Sequence, residues 1–303
     1  LVSKPQLEGG AEIREISFTN SNLRSVDISE LDLENADLRG GNLSKVDLFD
    51  LFVYCERSKQ HKLNLLKLAG ANLSNCQVPD SLYVAEGTDL SGVTFDGIEF
   101  HGKNLLCNCN LQHASFVGCR FGKGATLDLS GSNLDYANLH GIDEKFVNIS
   151  GCSLRYANLD NARLNMWIAK NIDITGCSFK NALLRRSKWI DVNANYCHFY
   201  RANMSNSVWT RVSAIQADFN RTNFSGLNCS NCCLQRSSFS ETNMRNSKWR
   251  RCVLRESSFH SPNMTGTLLV NCSLNSSTIT NICLTKAGSN FDVQGCDFSE
   301  CII

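Results

Sequence analysis

The chain has 303 residues, of which 42% are hydrophobic and 19% charged, and a formal net charge of +1. That balance is globular and excludes a disordered chain, and no apolar run reaches the roughly 18 residues of a transmembrane helix. Residues 1–12 (LVSKPQLEGGAE) lack the basic start, apolar stretch and cleavage site of a secretory signal.

Residues 1–12 read as an N-terminal flank or cap, and with no initiator Met the expectation is a trimmed piece of a longer protein. From residue 13 a bulky apolar residue recurs every fifth position: Phe18, Leu23, Ile28, Leu33, Leu38, Leu43, Leu48 and Val53. The register returns at Leu63, Leu68, Leu73 and Val78, so the polar stretch 54–62 is predicted as a degenerate side or loop that keeps phase. After Pro79 it shifts to Leu90, Phe95 and Phe100, then to Leu106, Leu111, Phe116 and Phe121. The Gly-containing stretch 122–128 leads into a long register from Leu129, and a last slip at 286–292 precedes Val293, Phe298 and Ile303. Phase breaks fall near 54–62, 79–89, 122–128 and 286–292; the first three are the predicted protruding loops, and loops on a rigid scaffold are where binding often sits.

Period five fits neither a helix at 3.6 nor a strand at 2.0. Two residues before each bulky residue sits a small one, such as Ala157, Ala162, Cys177, Ala182 or Ser187. Two inward positions in five mean that the chain turns a corner once per repeat. Four corners close a square, and the next coil stacks upon it. A weaker period of twenty should then exist, and it does: Phe179, Phe199, Phe219, Phe239 and Phe259 form one column, and Trp189, Trp209, Cys229, Trp249 and Leu269 another.

This pattern resembles the pentapeptide-repeat family, whose unit is A-(D/N)-L-x-x. The matching stretches include ADLRG (36–40), ANLSN (71–75), ANLHG (137–141), ANLDN (157–161), ANMSN (202–206) and ADFNR (217–221). The resemblance implies an all-β fold, a right-handed quadrilateral parallel β-helix over 13–303. At twenty residues per coil that solenoid would have about fifteen coils with a few loop insertions.

Sixteen cysteines suggest a disulfide framework or a metal site, but position argues otherwise. Cys76, Cys109, Cys119, Cys152, Cys177, Cys197, Cys232, Cys252, Cys272, Cys296 and Cys301 occupy the small inward slot, where Cys acts as a small hydrophobe. In-register stacking of Cys232, Cys252 and Cys272 aims the thiols alike, which suits the disulfide dihedral poorly. Free thiols favour a reducing, cytoplasmic compartment. The six histidines are scattered, and no nucleophile, zinc or phosphate-loop motif occurs, so no catalytic residue, metal or cofactor is expected.

Charge is lopsided. Residues 1–150 carry 13 Lys/Arg against 20 Asp/Glu, residues 151–260 carry 16 against 6, and residues 261–303 carry 1 against 3. Basic residues flank the Trp column: Arg185, Arg186 and Lys188 around Trp189, Arg211 after Trp209, and Lys248, Arg250 and Arg251 around Trp249. These seven form the candidate partner-binding surface, suited to an acidic protein or to phosphates. The competing reading is neutralisation along the stack, with Asp191 one coil below Arg211 and Arg221 one below Glu241.

The function expected is a non-enzymatic protein-interaction scaffold, the repeat domain of a larger bacterial protein. The resemblance adds that secreted bacterial effectors, some with a ligase domain, use such repeats this way. It also brings an alternative, the topoisomerase-protecting members that mimic DNA, but these need an acidic molecule and 151–260 is basic. A third reading, nucleic-acid binding by the basic half, suffers because the rings that would stack on bases fall in the inward register. The chain ends on the repeat without a polar cap, so an end-to-end homodimer through Cys301, Ile302 and Ile303, or further chain, is expected to cover that end.

Overall fold

The computed structural model describes residues 17–27, 36–48, 67–282 and 292–302. The flank 1–12, the segment 54–62, residues 286–291 and Ile303 lie outside the described residues. Among the described residues there is no helix; the strands are two or three residues long and pair only in parallel. The chain is therefore a parallel β-solenoid, divided into two compact units.

The second unit comprises Asp135–Glu144 and Ser153–Ile303. Four ladders run through it, one per side of the coil. One joins Asn158, Ser178, His198, Asp218, Ser238, Ser258 and Thr278, and a second joins Arg163, Leu183, Asn203, Asn223, Asn243 and Asn263. A third is the seven-stranded sheet from Ile168–Lys170 through Lys188–Ile190, Val208–Thr210, Asn228–Ser230, Lys248–Arg250 and Leu268–Val270 to Asp292–Gln294. The fourth joins Asp173, Asn193, Ser213, Cys233, Val253 and Ser273. Partners are twenty residues apart until the last coil, where Leu268 pairs with Asp292 and Ser273 with Asp297, each 24 residues on.

The corners explain the period. The N–H of Ser187 bonds to the carbonyl of Leu184 at 3.3 Å, closing a tight turn through Arg185 and Arg186. Arg186 has φ 57, the left-handed third residue that a type II turn requires. Ala202 closes on Phe199 and Cys197 on Ala194 in the same way, with Arg201 and Tyr196 left-handed between them. Asn and Gly are common at these positions because they meet left-handed backbone at least cost.

The inward slot is more than a space-filler. A hydroxyl or thiol there donates back to the carbonyl of a bulky residue in the previous coil: Thr242 to Phe219 at 3.0 Å, Ser277 to Leu254 at 2.7 Å, and Cys197 to Ile174 at 2.9 Å. Ser, Thr and Cys thus interchange because each is small and each satisfies a buried acceptor. All fourteen described cysteines are free.

The core of this unit is the stack of columns itself. Phe179, Phe199, Phe219, Phe239 and Phe259 lie ring upon ring at 4.6–5.2 Å. Trp189 stacks on Trp209 at 5.3 Å. One coil reverses the two inward positions. Half-buried Trp167 takes the slot that is Ser187 and Ser207 above it, and Ala169 takes the place under Trp189. The volume is conserved, so the stack continues.

The first unit comprises Leu1–Leu134 and Lys145–Cys152, and its register is less regular. Asp47 pairs with Gln77, thirty residues on, ten more than the separation of twenty in the second unit. Asn72 pairs with Thr94 and Tyr83 with Leu105 at a separation of 22, while Asp89 pairs with Asn110 at 21. Lys103 pairs with Thr126 at 23, across the stretch that holds Gly122 and Gly124. Asn104 points inward here, fully buried, and bonds to the Leu82 N–H and to the carbonyls of His101 and Thr126, each at 3.0 Å. A polar residue replaces an apolar one because every group it carries is satisfied.

Candidate interaction surface

The seven-stranded sheet alternates inward and outward residues along each three-residue strand. In Lys188–Ile190 the central Trp189 is buried, so Lys188 is thrown outward; in Lys248–Arg250 the buried Trp249 does the same for Lys248 and Arg250. Arg185 and Arg186 occupy a turn, Arg211 and Arg251 bends, and all seven basic residues are exposed. The sheet brings Lys188 and Lys248 into one column, through Val208 and Asn228, with Arg250 alongside.

The set is not electrostatically uniform. Arg211 grips Asp191 through two hydrogen bonds of 2.6 and 2.7 Å, and the Asp191 carboxyl is held below its ordinary range by that guanidinium. Arg211 is thus committed to its neighbour. Arg221 pairs likewise with Glu241 at 3.1 Å, and Arg236 with Glu256 at 2.9 Å, a pair of the same kind further along. Arg185, Arg186, Lys188, Lys248, Arg250 and Arg251 have no ion-pair partner among the described residues.

What sequence reasoning missed is the apolar part of this surface. Met166 and Ile168 are 66% and 67% exposed, and Leu183 and Val208 are exposed as well. Ile168 is the direct strand partner of Lys188, and Lys188 of Val208. Leu183 and Ile168 fall outside the inward register, which was the signal available. The Trp rings themselves face the core: Trp189, Trp209 and Trp249 are fully buried.

The thiols are displaced in both directions: hydrogen bonding to Cys229 pulls Cys232 below the ordinary thiol range, and hydrogen bonding to Cys252 pulls Cys272 down. Burial pushes the Cys152 thiol up to about 12 and Cys229 well above the ordinary range. Cys252 lies 3.7 Å from Cys229, and hydrogen bonding to Cys229 and Cys232 pushes it up too. Among the described residues, no group of three or more His, Cys, Asp or Glu could hold a metal ion, and no helix is long and apolar enough to cross a membrane. At the other end of this unit, Cys301 is half-buried, its thiol donating to the Leu274 carbonyl at 2.9 Å, while Ile302 pairs with Thr278 and is largely exposed.

Comparison with known proteins agrees with the coil. Residues 10–50, 210–240 and 237–276 match the family described as pentapeptide repeats, in eight copies. No curated protein matches the sequence. Among solved structures, the chain is similar to HetL, a pentapeptide repeat protein involved in heterocyst differentiation regulation in the cyanobacterium Nostoc sp. strain PCC 7120. There the identity is 15% over 88% of this chain and 87% of that one, with a TM-score of 0.32. It is similar to full-length QnrB1, a plasmid-mediated fluoroquinolone resistance protein, at 14% identity over 68% of this chain and 91% of that one, with a TM-score of 0.30. A pentapeptide repeat protein of the Arabidopsis thaliana thylakoid lumen shares 18% identity over 38% of this chain and 63% of its own, with a TM-score of 0.14. At TM-scores this low the three likenesses say nothing about function.

Proposed function

Because this chain is a pentapeptide-repeat protein, we propose that it works as a non-enzymatic scaffold whose exposed basic surface in 151–260 docks a protein partner. The observation that carries this reading is the split within the cations. Arg211, Arg221 and Arg236 are neutralised along the stack, while Arg185, Arg186, Lys188, Lys248, Arg250 and Arg251 present their charge outward without a partner among the described residues. Clustered like charges repel one another and oppose compaction, a cost that a partner of opposite charge removes. A rigid parallel stack holds them at fixed spacing, which favours recognition of a partner with complementary charge.

The reading takes its setting from the resemblance: a repeat domain within a larger bacterial protein, acting as secreted effectors do. The buried free thiols support a reducing compartment. DNA mimicry is disfavoured for this unit by its positive charge.

The test is cross-linking and co-precipitation from the native host, comparing the chain with a variant carrying Arg185→Glu, Arg186→Glu, Lys188→Glu, Arg250→Glu and Arg251→Glu. The partner is expected to be lost from the variant and to dissociate as salt rises. Unchanged capture by the reversed variant would discard the proposal.

A further inference from the structure

We propose that the docking site is a composite apolar and cationic patch on the coils 163–208, and that it takes an acidic, extended protein segment carrying an apolar residue between its carboxylates. The inference rests on the scaffold reading and narrows it from a basic surface to one site and one kind of partner.

Backbone adjacency makes the patch continuous. Arg163 pairs with Leu183, Ile168 with Lys188 and Lys188 with Val208. Arg185 and Arg186 form the corner that joins Leu183 to Lys188, and the Met166 N–H bonds to the Arg185 carbonyl from one coil below. Met166 and Ile168 are the two most exposed large apolar side chains among the described residues. Large apolar side chains clustered together and rimmed by charge mark an interaction site, whereas scattered single ones do not.

The corner places Met166 and Arg186 side by side. Its left-handed column reads Met166, Arg186, Asn206, Gly226, Asn246 and Gly266, with φ between 56 and 69°. Asn and Gly tolerate that backbone, whereas Met and Arg are strained by it. The two departures are adjacent, and both lie in the patch. Arg and Tyr also take left-handed corners elsewhere, at Arg201, Arg236 and Tyr196, so this corner is set apart by the 66% exposure of Met166 rather than by its backbone.

Charge selects the occupant. The side chains of Arg163, Arg185, Arg186 and Lys188 have no ion-pair partner among the described residues, and two adjacent guanidiniums match carboxylates in bidentate fashion. Nucleic acid is disfavoured because the ring nearest the patch, Trp167, is half-buried and packed at 84° against Trp189. A bilayer is disfavoured because the patch turns the corner at Arg185 and Arg186, so a flat surface would meet Leu183 or Ile168 but not both.

The experiment measures fluorescence anisotropy of labelled probes with the full chain at low and physiological salt. The probes are a twelve-residue peptide alternating Glu with Leu, the same peptide with Ser for Leu, phosphatidylserine vesicles, and a single-stranded DNA oligonucleotide. The Glu/Leu peptide is expected to bind at least tenfold tighter than the Glu/Ser peptide, the vesicles and the oligonucleotide. Met166→Asn with Ile168→Thr, substitutions that suit the corner and the strand, should weaken it at least fivefold. Arg185→Glu with Lys188→Glu should weaken it more, and Lys248→Glu with Arg250→Glu less than twofold. Equal binding of the two peptides, tighter binding of vesicles or DNA, no peptide binding, or indifference to the Met166/Ile168 pair would each overturn the composite site. If loss instead follows only from Lys248 and Arg250, the scaffold reading stands and this patch falls.

Discussion

The side-chain oxygen of Asn206 occupies the place where a Cβ on Gly226 would stand one coil on. The same relation links Asn246 to Gly266, Asn75 to Gly97 and Asn108 to Gly131. A left-handed Asn folds its amide over the next coil, and glycine accepts it. Gly226→Ala is therefore expected to cost about 2 kcal/mol, part from left-handed backbone and part from the collision. With Asn206→Ala already present the cost should fall to about 1 kcal/mol. A double-mutant cycle by urea unfolding checks this; equal losses in both backgrounds would exclude the contact as the cause.

Trp189 and Trp249 each donate the indole N–H to a hydroxyl two residues back, Ser187 and Ser247, both at 2.8 Å. Trp209, equally buried, has no partner for its N–H. A buried donor left unmade carries its full desolvation penalty. Trp209→Phe should therefore cost about 1 kcal/mol less than Trp189→Phe, as read from urea midpoints.

Phe219 lies between Phe199 at 5.1 Å and Phe239 at 5.0 Å. Phe219→Ala should cost about 3–5 kcal/mol. Each coil packs only on its neighbours, so the loss should be local. Hydrogen exchange is expected to quicken across 199–239 and to remain slow near Phe259. Uniform acceleration along the unit would contradict the stacked-coil account of stability.

Burial first, and Asp143 second, push the Glu144 carboxyl up from 4.5 to about 7. The folded chain therefore holds a proton that the unfolded chain releases between those values. Stability should fall as pH rises from about 4.5 to about 7, and no further beyond it. Partial exposure screens much of the effect, leaving about 1 kcal/mol or less. Glu144→Gln should flatten that slope and raise the melting temperature at pH 8. A variant with the slope unchanged would exclude Glu144 as its source.

The order of the apolar residues by itself determined the fold, because a five-residue period can bury two positions in five only by turning a corner each time. Phe199 and Phe219, or Trp189 and Trp209, could be placed in one column before any coordinate was known. The partners Arg211 and Asp191 followed from the same spacing of twenty. Other features were decided only by the tertiary structure. The exchange of Trp167 with Ala169 breaks the pattern yet conserves volume, and the hydrogen bond from Cys197 to Ile174 depends on where the preceding coil puts its carbonyl. The exposure of Met166 beside Arg186 was hidden for the same reason. Periodicity says which residues face inward, but what an outward residue meets is fixed by its neighbours in the adjacent coils, and those distances exist only after the chain has stacked.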